Sequence, residues 1–499
     1  LSNTNGIGNA GDINIEAENE VNLVNSTILS EVTEGLGMGN GGDITIKTGS
    51  LLLQDGSALL ADTENIGNAG SINIEASNRL ILSGEGLSAF PNSTDIVPSQ
   101  ISATVDDFVG VMGSAGDINI STPSLTVKDN GFISANTFGN GNAGNLTIKT
   151  EQLLLERGGE LDAISFGNGN AGNLTINALE SIKVTGTTAN GQSSSGIFAS
   201  AFNGSGNGGN LAINTDKLIV EDRGIVAVSN FQILFGQGVA LPPGTGEPGN
   251  ITIQANSINL ENNARIDAAT QSEIGDGANI TLNVADDITL ENNSFISARA
   301  LNNADGGNLN IDTNFIVAFP NQNNDIIANA QQGNGGNINI TAESVFGIEE
   351  RALNNFTNDI NATSALGAQF DGNVAITIPD INAIQTETQV PNNLIESQQT
   401  TEQACQSDRI NAAKNGLNIL GKGGIPPQPI EPLQADNIII DSKFAANYIP
   451  PEIEPIETDN GDIYPARGII KTADGGIILT AYPTENIPTR TPIVKPNCN

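Results

Sequence analysis

Three glycines, Gly139, Gly141 and Gly144, are spaced as G-x-G-x-x-G within FGNGNAGNLTI, a pattern by which a tight loop can present backbone N–H groups to a pyrophosphate. Two pairs of adjacent carboxylates, Asp106 with Asp107 and Asp286 with Asp287, supply the residue type that glycoside hydrolysis requires. Cys405 and Cys498 are the only cysteines, and there is no histidine. The missing imidazole excludes a Ser-His-Asp or Cys-His nucleophile, a histidine general base and any His-bearing metal site. Phosphate-loop, carboxylate and thiol chemistry remain, each to be weighed against the elements that would hold the groups in place.

A dinucleotide loop must follow a strand and open a helix whose N-terminus then faces the phosphates. Here the glycines lead into LTI, which alternates like a strand. The same eleven residues occur at 138–148 and again at 166–176, and the glycine spacing returns at Gly204, Gly206 and Gly209. A motif recurring at fixed distance is architecture rather than a single site, so no nucleotide site is expected.

The element G-[DN]-[IL]-[NT]-I begins at Gly11, Gly42, Gly70, Gly116, Gly144, Gly172, Gly209, Gly249, Ala278, Gly307, Gly336 and Gly372. The preferred step is 28 or 29 residues, and longer steps mark insertions. Within a step a second apolar pair follows, such as Leu153 and Leu155, and then a third with alanine in second place, such as Leu161 and Ala163. Period-two alternation predicts strands, and the turns between the pieces leave no room for helices. A lone strand buries nothing, whereas coils stacked on one another bury every apolar pair. The fold expected is therefore all-β: a parallel β-helix solenoid of about twelve coils, each of three short strands, occupying residues 1–379. At ~4.8 Å per coil it would be about 55 to 60 Å long.

The corner glycines are expected to supply positive φ between the third strand of one coil and the first of the next. The following residue forms a column that runs Asp12, Asp43, Ser71, Asp117, Asn145, Asn173 and onward as asparagine to Asn337 and Asn373. Stacked neutral amides can bond along the axis, whereas like charges ~5 Å apart repel by about 1 kcal/mol even in water. The structural turn and ladder residues singled out are accordingly Gly144, Asn145, Gly172, Asn173, Gly336 and Asn337. Asp12 beside Asp43 is an exception without an account at this level. Alanine in the third strand implies a narrow corner.

A net charge of −37, from 56 acidic and 19 basic residues, argues against nucleic acid and anionic membrane surfaces as partners, because both require clustered Lys and Arg. No apolar run is long enough to span a bilayer. The acidic corners lack the G-G-x-G-x-D nonapeptide of a calcium coil, so neither a metal nor another cofactor is expected. Adjacent aspartates on a strand point to opposite faces, so both pairs read as solvated corner acids rather than a catalytic dyad.

Insertions fall at residues 83–100, 185–195 and 230–247, the first two between second and third strands, where loops would project sideways. The pattern stops at Pro379. Residues 380–404 read as a linker or cap, and 405–499 as a small C-terminal β-containing unit with a hairpin, GIIKTADGGIILTAY, turning at Asp474-Gly475. A disulfide between Cys405 and Cys498 is expected over two free thiols. The chain opens midway through a repeat, which suggests a longer precursor that has lost its N-terminal part and any export signal.

The run of G-[DN]-[IL]-[NT]-I strands, with the tail from Cys405 through GGIPPQP and ARGIIKTADGGIILTAYP to Cys498, resembles the C-terminal part of filamentous-haemagglutinin-type exoproteins, most of all the large cyanobacterial members exported by two-partner secretion. The resemblance covers nearly the whole chain but includes no secretion domain. It implies a right-handed coil, an outer-membrane secretion partner and a place outside the cell, secreted or on the outer-membrane surface. A non-enzymatic adhesive rod with a cell-surface glycan or protein ligand is the expected function. A polysaccharide-cleaving or glycan-binding β-helix protein is the alternative.

Overall fold

The computed structural model describes residues 1–378, apart from stretches at 5–6, 33–37, 65, 89–93, 107–112, 231–232, 236–238, 242–243 and 273–274, and beyond them four short strands between 456 and 480. The chain divides into two units, Leu1–Pro379 and Asp380–Asn499. Apart from one 3-10 turn at Ala368–Phe370, every regular element described is a strand.

The first unit is a parallel β-helix solenoid. Leu146 and Ile148 pair in register with Leu174 and Ile176, and these pair in turn with Leu211 and Ile213, so the repeated letters of the sequence become neighbours in space. Alternation sends these side chains inward, where Leu146, Ile148, Leu153, Leu155 and Leu161 are at most 1% exposed. They belong to one apolar core that runs from Ile44 to Ala362 through successive coils. Full burial stabilises by about 1.5 to 3 kcal/mol per large apolar side chain. No coil could hold its pairs out of water alone, so stability accumulates through stacking.

The first two apolar pairs of a repeat lie on one continuous strand rather than two. Leu146–Glu156 and Leu174–Thr185 carry both pairs, and their ladder slips between Thr150 and Gln152. The slip bends the strand without ending it, which keeps the inter-coil hydrogen bonds on both sides of the corner. Only the fourth coil breaks, into Ile118–Ser121 and Ser124–Lys128 around Pro123, whose nitrogen has no hydrogen to donate. The third pair forms a second parallel sheet of three-residue strands, including Phe132–Ser134, Glu160–Asp162, Arg265–Asp267 and Phe295–Ser297. A column of single bridges, Thr137 to Ser165 to Ala201, completes the wall of these coils.

The corner glycines serve a different purpose from the one their sequence suggests. Gly144, Gly172 and Gly336 do not have positive φ. They are needed because a Cβ on Gly172 would stand 1.8 Å from the Gly144 carbonyl oxygen, and one on Gly144 would stand 1.9 Å from that of Gly116. Each corner also folds back on its own chain: the Gly172 N–H donates to the Ala163 carbonyl at 3.0 Å, Gly144 to Ala135 at 2.9 Å and Gly336 to Ala328 at 2.7 Å. This clamp explains the alanine of the third strand. A Cβ on Gly172 would also lie 3.2 Å from that of Ala163, so both columns must stay small. Positive φ occurs instead in the turn before the third strand, at Asp129-Asn130, Asn262-Asn263 and Asn292-Asn293, where a short polar side chain tolerates it.

Two of the insertions carry antiparallel pairs, Glu85–Leu87 with Ile96–Pro98 and Ile233–Phe235 with Val239–Leu241, and the third a single bridge from Thr187 to Ser194. In the second unit Gly468–Lys471 pairs antiparallel with Ile477–Thr480. Lys471 sits opposite Ile477, and the expected turn at Asp474-Gly475 falls in residues 472–476, which lie outside the described residues. A further hairpin joins Ile456–Thr458 to Gly461–Ile463. Cys405, Cys498, Pro379 and residues 380–404 lie outside the described residues.

Candidate functional site

The residue after each corner glycine stacks on its counterpart. The Asn173 backbone N–H donates to Asn145 Oδ1 at 3.0 Å, and its Nδ2 donates to the same oxygen at 3.3 Å. The Asn337 N–H and Nδ2 reach Asn308 Oδ1 at 3.2 and 2.9 Å. The common feature is an oxygen that accepts the backbone N–H of the next coil, a task that aspartate performs equally well. Asp12 Oδ1 accepts from the Asp43 N–H at 3.0 Å, and Asp43 Oδ1 from the Ser71 N–H at 2.8 Å. That role accounts for the two stacked aspartates near the start. A parallel column passes through Asn142, Asn170 and Asn207 in the same way. Gly144, Asn145, Gly172, Asn173, Gly336 and Asn337 therefore assemble as scaffold, and their polar groups are spent on one another.

The carboxylate pairs read from the sequence do not form dyads. Asp286 and Asp287 sit at the slip in strand Ile280–Glu291. The Thr289 hydroxyl donates to Asp287 Oδ2 at 3.1 Å, and burial pushes the Asp287 carboxyl up despite that bond. Asp107 lies outside the described residues. Asp106 does join an acidic group, one that crosses three coils and that the sequence did not disclose. Glu31 is pushed up to about 7, first by burial and then by Glu64 and Asp106. Asp106 is pushed up to about 6, first by desolvation and then by Glu64, although part of its surface reaches solvent. Asp62 is 5% exposed and accepts from the Ser102 hydroxyl at 2.8 Å and the Thr104 N–H at 2.7 Å. Burial, followed by Asp106, still lifts it well above the ordinary range.

A second pair lies on the outward face of the short sheet. Glu160 and Asp162 flank the inward Leu161 on strand Glu160–Asp162. Burial pushes Glu160 up to about 7, and burial followed by Glu160 raises Asp162. Asp162 is 7% exposed, and its Oδ1 has no hydrogen-bond partner. Carboxylate pairs that cleave glycosides sit in unlike environments that push one group up and leave the other ionised. Here burial raises both members, so the pair lacks the contrast of environments that separates an acid from a base. The signal for this pair was legible as a charged residue on each side of the inward leucine, where other coils carry Phe132 and Ser134 or Ile225 and Ala227.

Two open clefts follow the outer side of the bend in the long strands. One, of about 470 Å³, is lined by Asn214, Gln254, Asn283 and Asp312, which stack in register. The other, of about 660 Å³, includes Lys47, Glu75, Lys149 and Glu151. Lys47 and Glu75 pair at 3.3 Å with both side chains largely exposed, an arrangement worth little. Among the described residues no three acids or cysteines converge as metal ligands, and no helix is long and apolar enough to cross a membrane. No family model, curated protein or solved structure matches the chain.

Proposed function

We propose that the solenoid is a non-catalytic rod of a secreted or surface-displayed exoprotein and that it mediates contact with another cell surface. The observation that carries this reading is the side-chain column, which joins Asp12, Asp43 and Ser71 and, with no bond between Ser71 and Asp117, resumes at Asp117 and runs through Asn173, Asn250 and Asn279 to Asn337. Polar groups that a catalytic face would turn toward substrate are instead consumed in holding one coil to the next. An enzyme built on such coils would interrupt the column with a convergent set of acids and bases, and the outward acids here are shifted in one direction only. The repeats and the tail that resemble haemagglutinin-type exoproteins support display outside the cell and passage through an outer-membrane partner.

The experiment is a bead-adhesion assay with the full chain, run beside a version lacking residues 83–100, 185–195 and 230–247. Adhesion of both versions places contact on the coils, and adhesion of the full chain alone places it on the insertions. Beads that adhere no better than bare ones would refute the reading. The carbohydrate-acting alternative would have to rest on the Glu160 and Asp162 pair, the buried outward carboxylates of one strand. Release of reducing ends from a polysaccharide panel, abolished by Glu160→Gln, would establish it in place of the contact role.

A further inference from the structure

The long strands bend between their two apolar pairs, and on the outer side of that bend an open cleft of about 470 Å³ crosses the coils that carry Asn214, Gln254, Asn283 and Asp312. These four side chains form one rim, stacked in register and exposed. Elsewhere on the rod stacked amides bond to one another, as Asn337 does to Asn308 at 2.9 Å and Asn339 to Asn310 at 3.0 Å. Among the described residues, the side chains of Asn214, Gln254 and Asn283 bond to nothing, so their donors and acceptors stay open to whatever enters the cleft. The floor is Thr215, Ala255, Val284 and Thr313, each at most 8% exposed. Both threonine hydroxyls turn back to backbone carbonyls, Thr215 to Lys217 and Thr313 to Asp286, each at 3.3 Å, which leaves an apolar strip. Asn256, Ala285 and Asn314 close the far side.

An apolar floor beside a rim of unbonded amides suits a molecule with hydrocarbon faces and polar edges. A pyranose whose substituents are all equatorial has that form: C–H bonds cover both faces of the ring, and hydroxyls, which donate and accept as an amide does, surround its edge. Spacing supplies a second match. Coils advance by ~4.8 Å, close to the length of one such sugar in an extended chain, so every unit meets the same surroundings as the last. An extended peptide advances by ~3.3 Å per residue and falls out of step. We propose that the cleft binds a neutral, extended, equatorially linked oligosaccharide lying along the solenoid axis, one unit to each coil. The three amides carry no charge, and the net charge of −37 opposes a polyanion, which selects a neutral chain over one of uronates. This ligand serves the contact role proposed above, on which the proposal rests.

Calorimetric titration of the full chain with glucose, cellotetraose, maltotetraose and tetragalacturonate tests it. Cellotetraose is expected to bind at least about tenfold more tightly than each of the others, because glucose meets one coil, maltotetraose curves out of step and tetragalacturonate is charged. Replacing both Gln254→Ala and Asn283→Ala removes two exposed, unbonded side chains; the double variant should melt as the parent does and bind cellotetraose about tenfold or more weakly. Lys149→Ala, in the other cleft, should leave the affinity unchanged. Lack of saturable cellotetraose binding at about 10 mM, equal affinity for any of the other three sugars, or unchanged affinity in the folded double variant would overturn the proposal, as would a loss in Lys149→Ala. Beads that adhere while cellotetraose fails to bind would refute the cleft alone, and binding without adhesion would refute the contact role alone.

Discussion

Replacing Gly172 by alanine and by asparagine separates two explanations of the corner glycines. If the corner needed a left-handed backbone, asparagine would be tolerated and alanine would cost about 1 kcal/mol. The structure gives another reason: any Cβ at Gly172 would stand 1.8 Å from the Gly144 carbonyl oxygen and 3.2 Å from the Ala163 Cβ. Normal carbon–oxygen contact needs well over 3 Å, so the fifth and sixth coils would have to part by more than 1 Å against a ~4.8 Å spacing. Overpacking of this kind costs about 1 to 3 kcal/mol. The clamp from Gly172 N–H to Ala163 and the bond from Asn173 N–H to Asn145 would stretch with it, at about 1 kcal/mol each. The expected loss is about 3 to 5 kcal/mol for alanine and no less for asparagine. Urea unfolding followed by far-UV circular dichroism measures it, and amide exchange at Leu174 locates the opening, because a repeat array need not unfold in one step. Asn263, exposed in the turn before a third strand with φ 63°, is the control and should accept glycine within about 0.5 kcal/mol. A Gly172→Asn variant as stable as the parent would refute the close-approach argument.

Asn173→Ala should lower stability by about 1 to 2 kcal/mol, since the Asn210 N–H loses its acceptor, whereas Asn173→Asp keeps that acceptor and should cost less than about 1 kcal/mol; equal melting of the two variants would count against the ladder. Stability should fall as pH rises from 5 to 8. Glu160 has a folded value of about 7 against an ordinary 4.5, so its contribution is complete below 4.5 and is lost on ascending through 7. That gap corresponds to about 3 kcal/mol, discounted to about 1.5 for partial exposure, and Glu160→Gln should flatten the urea midpoint against pH by that amount; an unchanged slope would contradict the assignment. Arg351 bonds to Asp359, whose side chain is 0% exposed. Arg351→Met should cost about 2 kcal/mol, felt by amide exchange in the coil of strand Asp359–Asn361 and absent near Leu51.

The pairing of Leu146 with Leu174 was legible because identical eleven-residue stretches can stack in only one register without exposing an apolar pair. The role of the glycines was not, because a sequence shows where a side chain is missing but not what would collide with one. Both positive φ and close approach predict glycine, and the left-handed backbone falls instead at residues such as Asn262 and Asn263. Two pairs per repeat read as separate strands because a bend looks like an interruption when hydrogen bonds to the next coil are invisible. The acids Glu31, Asp62 and Asp106 are 31 and 44 residues apart in the chain, so only stacking brings them together. Glu160, Asp162, Arg265 and Asp267 flank the inward Leu161 and Ile266 in plain view, but the sequence does not show that the outward face of the short strands buries them.

The side-chain column also gives the molecule an arrow. Every oxygen in it belongs to the earlier coil and every N–H to the later one, as in Asn145 to Asn173 and Asn173 to Asn210. A finished turn therefore exposes a vacant receptor for the one that follows, and the clamp from glycine to the preceding alanine positions the newcomer before its long strand is laid down. At the turn before the third strand the sense is reversed: the earlier coil donates and the later one accepts, as from Ala264 N–H to Ser294 Oγ and from Ser294 N–H to Asn324 Oδ1, so the two corners of a coil point opposite ways along the axis and each interface is held by acceptors from both of its coils.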